Sequence, residues 1–215
     1  MVSPSILDVS DDVTIVAAPR MSEDEFVAWA LAREDNAEWV DGEVIPMSPA
    51  AVRHVEIVLW LGHLLDLYVL ANGLGKVFGS ELMVRLQHAR VSRRVPDLMF
   101  VSTANLGRLQ TNHLEGPPDL AIEVVSPESR NRDWGDKFAE YEAAGVLEYW
   151  IIDPKTETLQ ALFRNSDGKF IPVELDANGV LHSATVPGFW IRPTWLWQAE
   201  LPNALDCLRE LGVLG

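Results

Sequence analysis

Residues 119–153 read DLAIEVVSPESRNRDWGDKFAEYEAAGVLEYWIID, and the hydrophobic period changes twice along them. Residues 119–125 are an almost continuous apolar run of strand length. From about residue 133 to 144 the spacing is helical, with Asp133, Lys137 and Tyr141 four apart on one face. Leu147 to Ile152 form a second apolar run, closed by Asp153-Pro154. Gly145 stands where the end of a helix favours a left-handed residue. Strand, helix, strand over so short a stretch predicts two parallel strands joined by a right-handed crossover, and therefore an α/β fold.

Working outward towards the N-terminus, residues 95–101 and 76–86 have strand character. Residues 51–72 form a long helix with Ile57, Leu61, Leu64 and Tyr68 on one face, ended by Gly73 and Gly75. Arg53, His54, Glu56, His63 and Asp66 interrupt its apolar run, which predicts a buried amphipathic helix rather than a membrane span. Residues 38–45 read as a hairpin turning at Asp41-Gly42. Before it, Ser22 and Glu25 have the spacing of a capping box. Towards the C-terminus, 158–163 and 169–173 read as an antiparallel pair around Ser166-Asp167-Gly168, and Trp190, Trp195 and Trp197 as core and cover. The organisation expected is an extension over 1–19, one domain over 20–200 and a helical tail over 201–215.

Composition narrows the function. The chain has 215 residues, 48% hydrophobic and 23% charged, enough for one substantial core. Cys207 is the only cysteine, which excludes an intrachain disulfide and a thiolate zinc site. The Met-Val-Ser-Pro start lacks a basic region followed by an apolar run, so a cytoplasmic location is expected. Against 17 Lys plus Arg stand 32 Asp plus Glu, a net charge of -15, which argues against indiscriminate binding to phosphate backbones. The acids concentrate at the ends: residues 1–45 carry -9, residues 46–115 carry +2 and residues 116–215 carry -8. Arg85, Arg90, Arg93 and Arg94 precede Val95-Pro96-Asp97, as either a solvated hairpin or a phosphate-contacting edge.

Asp97, Glu123 and Lys137 occupy positions that propensity would fill otherwise. Asp97 opens an apolar strand and Glu123 interrupts another, where an ionised carboxylate is expensive unless paired or bound to a metal. Lys137 lies early in the helix after Glu123's strand, and the crossover returns it towards that strand's carboxyl end. Two carboxylates on neighbouring strands can hold magnesium, which prefers oxygen ligands and keeps several waters. With a lysine beside the ion, this constellation suits phosphodiester hydrolysis. The competing reading makes Glu123 and Lys137 a buried ion pair and Asp97 a strand cap. There is no Gly-x-Ser-x-Gly, no phosphate-binding Gly-rich loop and no His-Glu-x-x-His.

Val95-Pro96-Asp97, Glu123-Val124-Val125-Ser126-Pro127, Asp133-x-x-x-Lys137-x-x-x-Tyr141 and Gly145-x-x-Glu148-Tyr149-Trp150-x-x-Asp153-Pro154 together resemble the Uma2 family of restriction-endonuclease-like proteins. Asp41-Gly42-Glu43, Met47-Ser48-Pro49, His54 and Val186-Pro187-Gly188-Phe189 extend the likeness over roughly residues 20–200. The resemblance implies a restriction-endonuclease-like α/β fold: a central mixed β-sheet flanked by helices, with an added N-terminal helix and hairpin and a C-terminal β extension. It implies a magnesium-dependent endonuclease acting on DNA, with manganese as substitute. Asp97, Glu123 and Lys137 would be catalytic, and Asp97 and Glu123 metal ligands. This sequence departs from the signature at Val125, where a lysine is usual; in related nucleases the lysine has moved to the following helix, and Lys137 takes that place. Glu43 is a candidate third metal ligand, with Glu81 weaker. Arg94, His54 and Tyr141 are candidate substrate contacts. Many nucleases of this fold work as dimers, which makes a homodimer possible. The rival expectation is a catalytically inactive nuclease-like fold serving as an interaction or assembly module.

Overall fold

The computed structural model describes residues 20–32, 37–126 and 129–214. The extension read over residues 1–19, and Pro127 of the family pattern, lie outside them. In chain order the elements are α1 (Glu23–Leu31), β1 (Ala37–Val40), β2 (Glu43–Pro46), α2 (Val52–Ala71), β3 (Gly75–Gly79), β4 (Met83–Gln87), β5 (Val91–Arg94), β6 (Leu98–Ser102), β7 (His113–Glu115), β8 (Leu120–Val124), α3 (Phe138–Ala144), β9 (Glu148–Asp153), β10 (Thr158–Arg164), β11 (Phe170–Pro172), β12 (Leu181–His182), β13 (Trp190–Ile191) and α4 (Ala204–Glu210).

The crossover expected between residues 119 and 152 is present: β8 and β9 run parallel, with Leu120 opposite Glu148 and Val124 opposite Ile152. They are the centre of a six-stranded sheet ordered β11-β10-β9-β8-β6-β3, whose other pairings are antiparallel. Alternation sorts this sheet's side chains onto two faces. Leu98, Phe100, Leu120, Ile122, Val124, Trp150 and Ile152 meet Ile57, Leu61, Leu64 and Tyr68 of α2. Met99, Val101, Ala121, Val125, Tyr149 and Ile151 meet Tyr141 of α3 together with Val84 and Leu114. The helix with the length and hydropathy of a membrane span therefore packs its apolar face on the sheet. Truncating a fully buried anchor such as Leu61 to alanine would cost about 2–5 kcal/mol.

A second sheet, ordered β2-β1-β5-β4-β7, corrects the reading of residues 76–86 as one strand. The chain turns at Ser80-Glu81-Leu82, where the Leu82 N–H bonds to the Gly79 carbonyl. β3 stays at the edge of the large sheet while β4 joins the small one. The arginine-rich stretch becomes the β4–β5 hairpin, with Arg85 paired opposite Arg93. The N-terminal hairpin is no appendage, because β1 pairs with β5. Its turn at Asp41 (φ 47°) and Gly42 (φ 94°) has the two left-handed residues of the commonest tight hairpin turn. The Ser22–Glu25 capping box forms as read.

Candidate active site

The large sheet brings the two carboxylates together. Leu98 of β6 pairs with Ile122 of β8, so Asp97 and Glu123 stand one residue further along the same ladder. Asp97 Oδ2 accepts the Val124 N–H at 2.7 Å, and His54 Nε2, in the first turn of α2, lies 3.4 Å from Asp97 Oδ1. Glu123 shares the sheet face of Ala121 and Val125, beneath the helix that follows its strand. Lys137 descends onto that face, with Nζ 2.9 Å from Glu123 Oε1. Tyr141, one turn on, donates its hydroxyl to the same oxygen at 2.7 Å.

The helix carrying these groups departs from the α-helix expected from residue 133. Arg132–Lys137 is wound as a π-helix before α3 begins, an irregularity that recurs at functional sites. Asp133 and Lys137 are both buried within it, with Asp133 Oδ1 3.7 Å from Lys137 Nζ.

The small sheet supplies a carboxylate that sequence reasoning missed. Glu38 on β1 is 1% exposed. Its Oε1 lies 3.0 Å from Lys137 Nζ and accepts the Val95 N–H at 3.1 Å. Its Oε2 accepts from Arg94 at 2.9 Å. Burial would raise the Glu38 pKa, but the charges of Lys137 and Arg94 and the Val95 hydrogen bond outweigh it and hold the group at about 2. Glu123 is the opposite case. Burial, with the charges of Asp97, Asp133 and Glu38, outweighs Lys137 and pushes its pKa up to about 8. Burial also raises Asp133, against the pull of Lys137. For His54 burial acts downwards, but the hydrogen bond and charge of Asp97 carry its pKa above the ordinary value.

Asp97, Glu123, Asp133, Lys137, His54 and Arg132 line one cavity of about 90 Å³, with Ser126, Ser129 and the segment Pro46-Met47-Ser48-Pro49-Ala50 as further walls. Its chemistry fits a divalent cation. When all groups are ionised, the five acids Glu38, Asp97, Glu123, Asp133 and Glu140 exceed the four cations Arg94, Arg132, Lys137 and His54 by one negative charge. Asp133 Oδ1 is buried and lacks a hydrogen-bond partner, a costly state that an ion would relieve. Among the described residues no three acid, imidazole or thiol groups form a ready-made metal cluster. Two carboxylates are nevertheless enough for a magnesium ion that retains its waters.

Three expected roles are corrected by this geometry. Arg94 is buried, its Nε and one terminal nitrogen donating to Glu140 at 2.8 and 2.7 Å and the other terminal nitrogen to Glu38, and it is not part of the cavity wall where a phosphate would sit. Tyr141 is fully buried against Glu123 and faces no substrate. Glu43 is exposed on β2, opposite Val40, and is not part of the cavity wall. The carboxylate of this hairpin that reaches the site is Glu38, five residues earlier, and it contacts Lys137 and Arg94 without lining the cavity. Glu81 lies in the β3–β4 turn and lines a different cleft, with Leu59 and His63. Asp97, Glu123, Lys137 and His54 do converge.

A mixed sheet with helices on its faces and buried carboxylates at one end defines a restriction-endonuclease-like α/β protein. A family described as "Uma2: Putative restriction endonuclease" matches residues 23–194, and the chain belongs to that family. It is 23% identical over 169 residues to the uncharacterized protein slr1290 of Synechocystis sp. (strain ATCC 27184 / PCC 6803 / Kazusa), covering 78% of this chain and 87% of that one. It is 27% identical over 155 residues to the uncharacterized protein sll1609 of the same organism, covering 67% and 84%. Its fold is similar to the crystal structure of a "putative nuclease belonging to DUF820" from Anabaena variabilis ATCC 29413, with a TM-score of 0.67 and 19% identity over 82% of this chain and 97% of that one.

Proposed function

We propose that this protein is a magnesium-dependent endonuclease that hydrolyses phosphodiester bonds in DNA. The observation that carries the reading is the convergence of Asp97, Glu123 and Lys137, from the ends of two strands and a helix, on one cavity that Asp133 also lines. Family membership and the neighbouring fold support a nuclease-like role. Asp97 and Glu123 are the proposed cation ligands, with Asp133 beside them. Bound there, the cation would supply an activated water and offset the charge gathering on the phosphoryl oxygens.

The chain's own groups then have separate tasks. Lys137, held between Glu123 and Glu38, presents a fixed positive charge towards a phosphate in the cavity. Tyr141 and the Val124 N–H orient the two carboxylates. His54 faces the cavity from α2 and contacts substrate. Hydrolysis adds water across the phosphorus–oxygen ester bond: the water oxygen joins phosphorus and the departing sugar oxygen takes a proton. The test is cleavage of plasmid and single-stranded DNA with magnesium or manganese by the wild type, Asp97→Ala and Lys137→Ala. Each variant is expected to lose about 100- to 1000-fold in rate. Equal cleavage by all three would overturn the site.

A further inference from the structure

The proposed reacting groups are deeply set. Asp97 is 7% exposed, Lys137 3% and Glu123 2%. They line a cavity with room for a few water molecules, walled on one side by residues 46–50. A phosphate on the outside of a stiff duplex is poorly placed to reach such groups, whereas an unpaired strand can bend one phosphate inward.

A second cavity, of about 260 Å³, adjoins the first and shares His54 and Ser126 with it. Its other walls are Ala51, Arg53, Val125, Pro154 and Lys155. An apolar pocket beside a phosphate site suits an unstacked base, and a base within a duplex is not free to enter it.

The distribution of cations agrees. At this end of the large sheet, among the described residues, Arg94 and Lys137 are buried in ion pairs. Arg130 is paired with Asp153, and Arg53 with Glu56 and three backbone carbonyls. Two cations remain open. Arg132 lines the first cavity and reaches Glu38 only at 3.8 Å, its Nε making no hydrogen bond. Lys155 is exposed. Lys76 and Arg108 lie towards the opposite end of the sheet, by the Lys76–Val101 pairing and the Arg108–Pro117 hydrogen bond. A duplex footprint rests on many phosphate contacts, and this end offers two.

We propose that the substrate class of this site is an unpaired DNA strand, with one phosphate entering the first cavity beside Arg132 and the adjoining nucleoside lodged in the second beside Lys155. This deepens, and rests on, the nuclease reading above.

The experiment compares one deoxyoligonucleotide as a single strand, as a perfect duplex and as a duplex with an unpaired flap, with magnesium over a range of salt. The single strand and the flap arm are cut, and the duplex interior is cut about 100-fold more slowly because its bases must first unstack. With two cations engaged, log kcat/KM falls against log salt with a slope of about -1.4. Ala51→Phe, which narrows the second cavity, lowers single-strand cleavage while leaving the magnesium-induced rise in Tm unchanged. Duplex cleavage as fast as single-strand cleavage, or a salt slope steeper than about -5, would overturn the substrate class and leave the nuclease reading intact. No cleavage of any of the three would overturn the nuclease reading itself, and this inference with it.

Discussion

Glu38 and Lys137 lie 3.0 Å apart where the two sheets meet, one on β1 of the small sheet and the other above β8 of the large one. Through Glu38 the N-terminal hairpin takes part in the geometry of the site. One carboxylate holds the lysine, Arg94 and the Val95 N–H two residues before Asp97. Lys137 is thereby suspended between Glu38 and Glu123 instead of collapsing onto either.

Glu38→Ala is expected to destabilise the protein by about 3–5 kcal/mol, because it leaves Arg94 and Lys137 buried with a partner removed. Glu38→Gln keeps the acceptor for Val95 and loses less stability. In that milder variant kcat falls while KM for DNA stays close to the wild type, since a positioning residue acts through Lys137. Urea unfolding read beside cleavage kinetics checks this. Wild-type stability in both variants would refute the role assigned to the pair.

The low pKa of Glu38 also sets an acid limit. Its folded value, about 2, lies below the ordinary 4.5, so the folded state binds protons less readily than the unfolded chain. The stabilisation is complete above pH 4.5 and is lost as pH falls from 4.5 through about 2. Glu38→Gln removes this contribution, and its unfolding free energy should show a flatter dependence on pH over that window. A matching slope in wild type and variant would place the acid sensitivity elsewhere.

Local periodicity carried much of the architecture. The crossover from β8 to β9, the Asp41-Gly42 hairpin and the long α2 are written in short-range patterns, as are the lone Asp97 and Glu123 in apolar strands. Glu38 was hidden because it sits in an ordinary hairpin strand whose neighbours Ala37 and Trp39 are also buried. Its meaning depends on β1 pairing with β5, a contact between residues far apart in the chain. Glu43 followed the same turn and looked equivalent, but its position opposite Val40 leaves it outside the cavity wall. Arg94 was misread for a related reason: nothing near it in sequence discloses Glu140 or Glu38. The split of residues 76–86 between two sheets likewise depends on partners elsewhere in the chain.

Arg94 makes three charge-assisted hydrogen bonds to Glu140 and Glu38 and is 1% exposed. Arg94→Ala should therefore cost about 3–5 kcal/mol, and Arg94→Lys less, although one ammonium cannot reproduce the two-pronged contact with Glu140. The folded fraction of Arg94→Lys should bind DNA with the wild-type salt dependence, because the residue touches no phosphate. A salt slope shallower by about 0.7 would instead reveal a lost phosphate contact.

Divalent cations supply the most direct test of the cavity's charge. Asp97, Glu123 and Asp133 repel one another across it, and the Asp133 oxygen without a hydrogen bond adds a desolvation cost. A cation that binds the folded chain and ignores the unfolded one stabilises by mass action, by about 2.7 kcal/mol at one hundred times its Kd. For a protein of this size each kcal/mol raises Tm by about 2–4 °C. Magnesium or manganese should therefore raise the wild-type Tm by several degrees, and a chelator should reverse the rise. Asp97→Asn removes a formal charge from the ligand set, so its Tm without metal should equal or exceed that of the wild type while its response to metal shrinks. Sodium at equal ionic strength separates binding from screening, since screening would move both proteins alike. An equal response to magnesium in wild type and Asp97→Asn would place the cation elsewhere, and no response in either would remove the metal from this cavity.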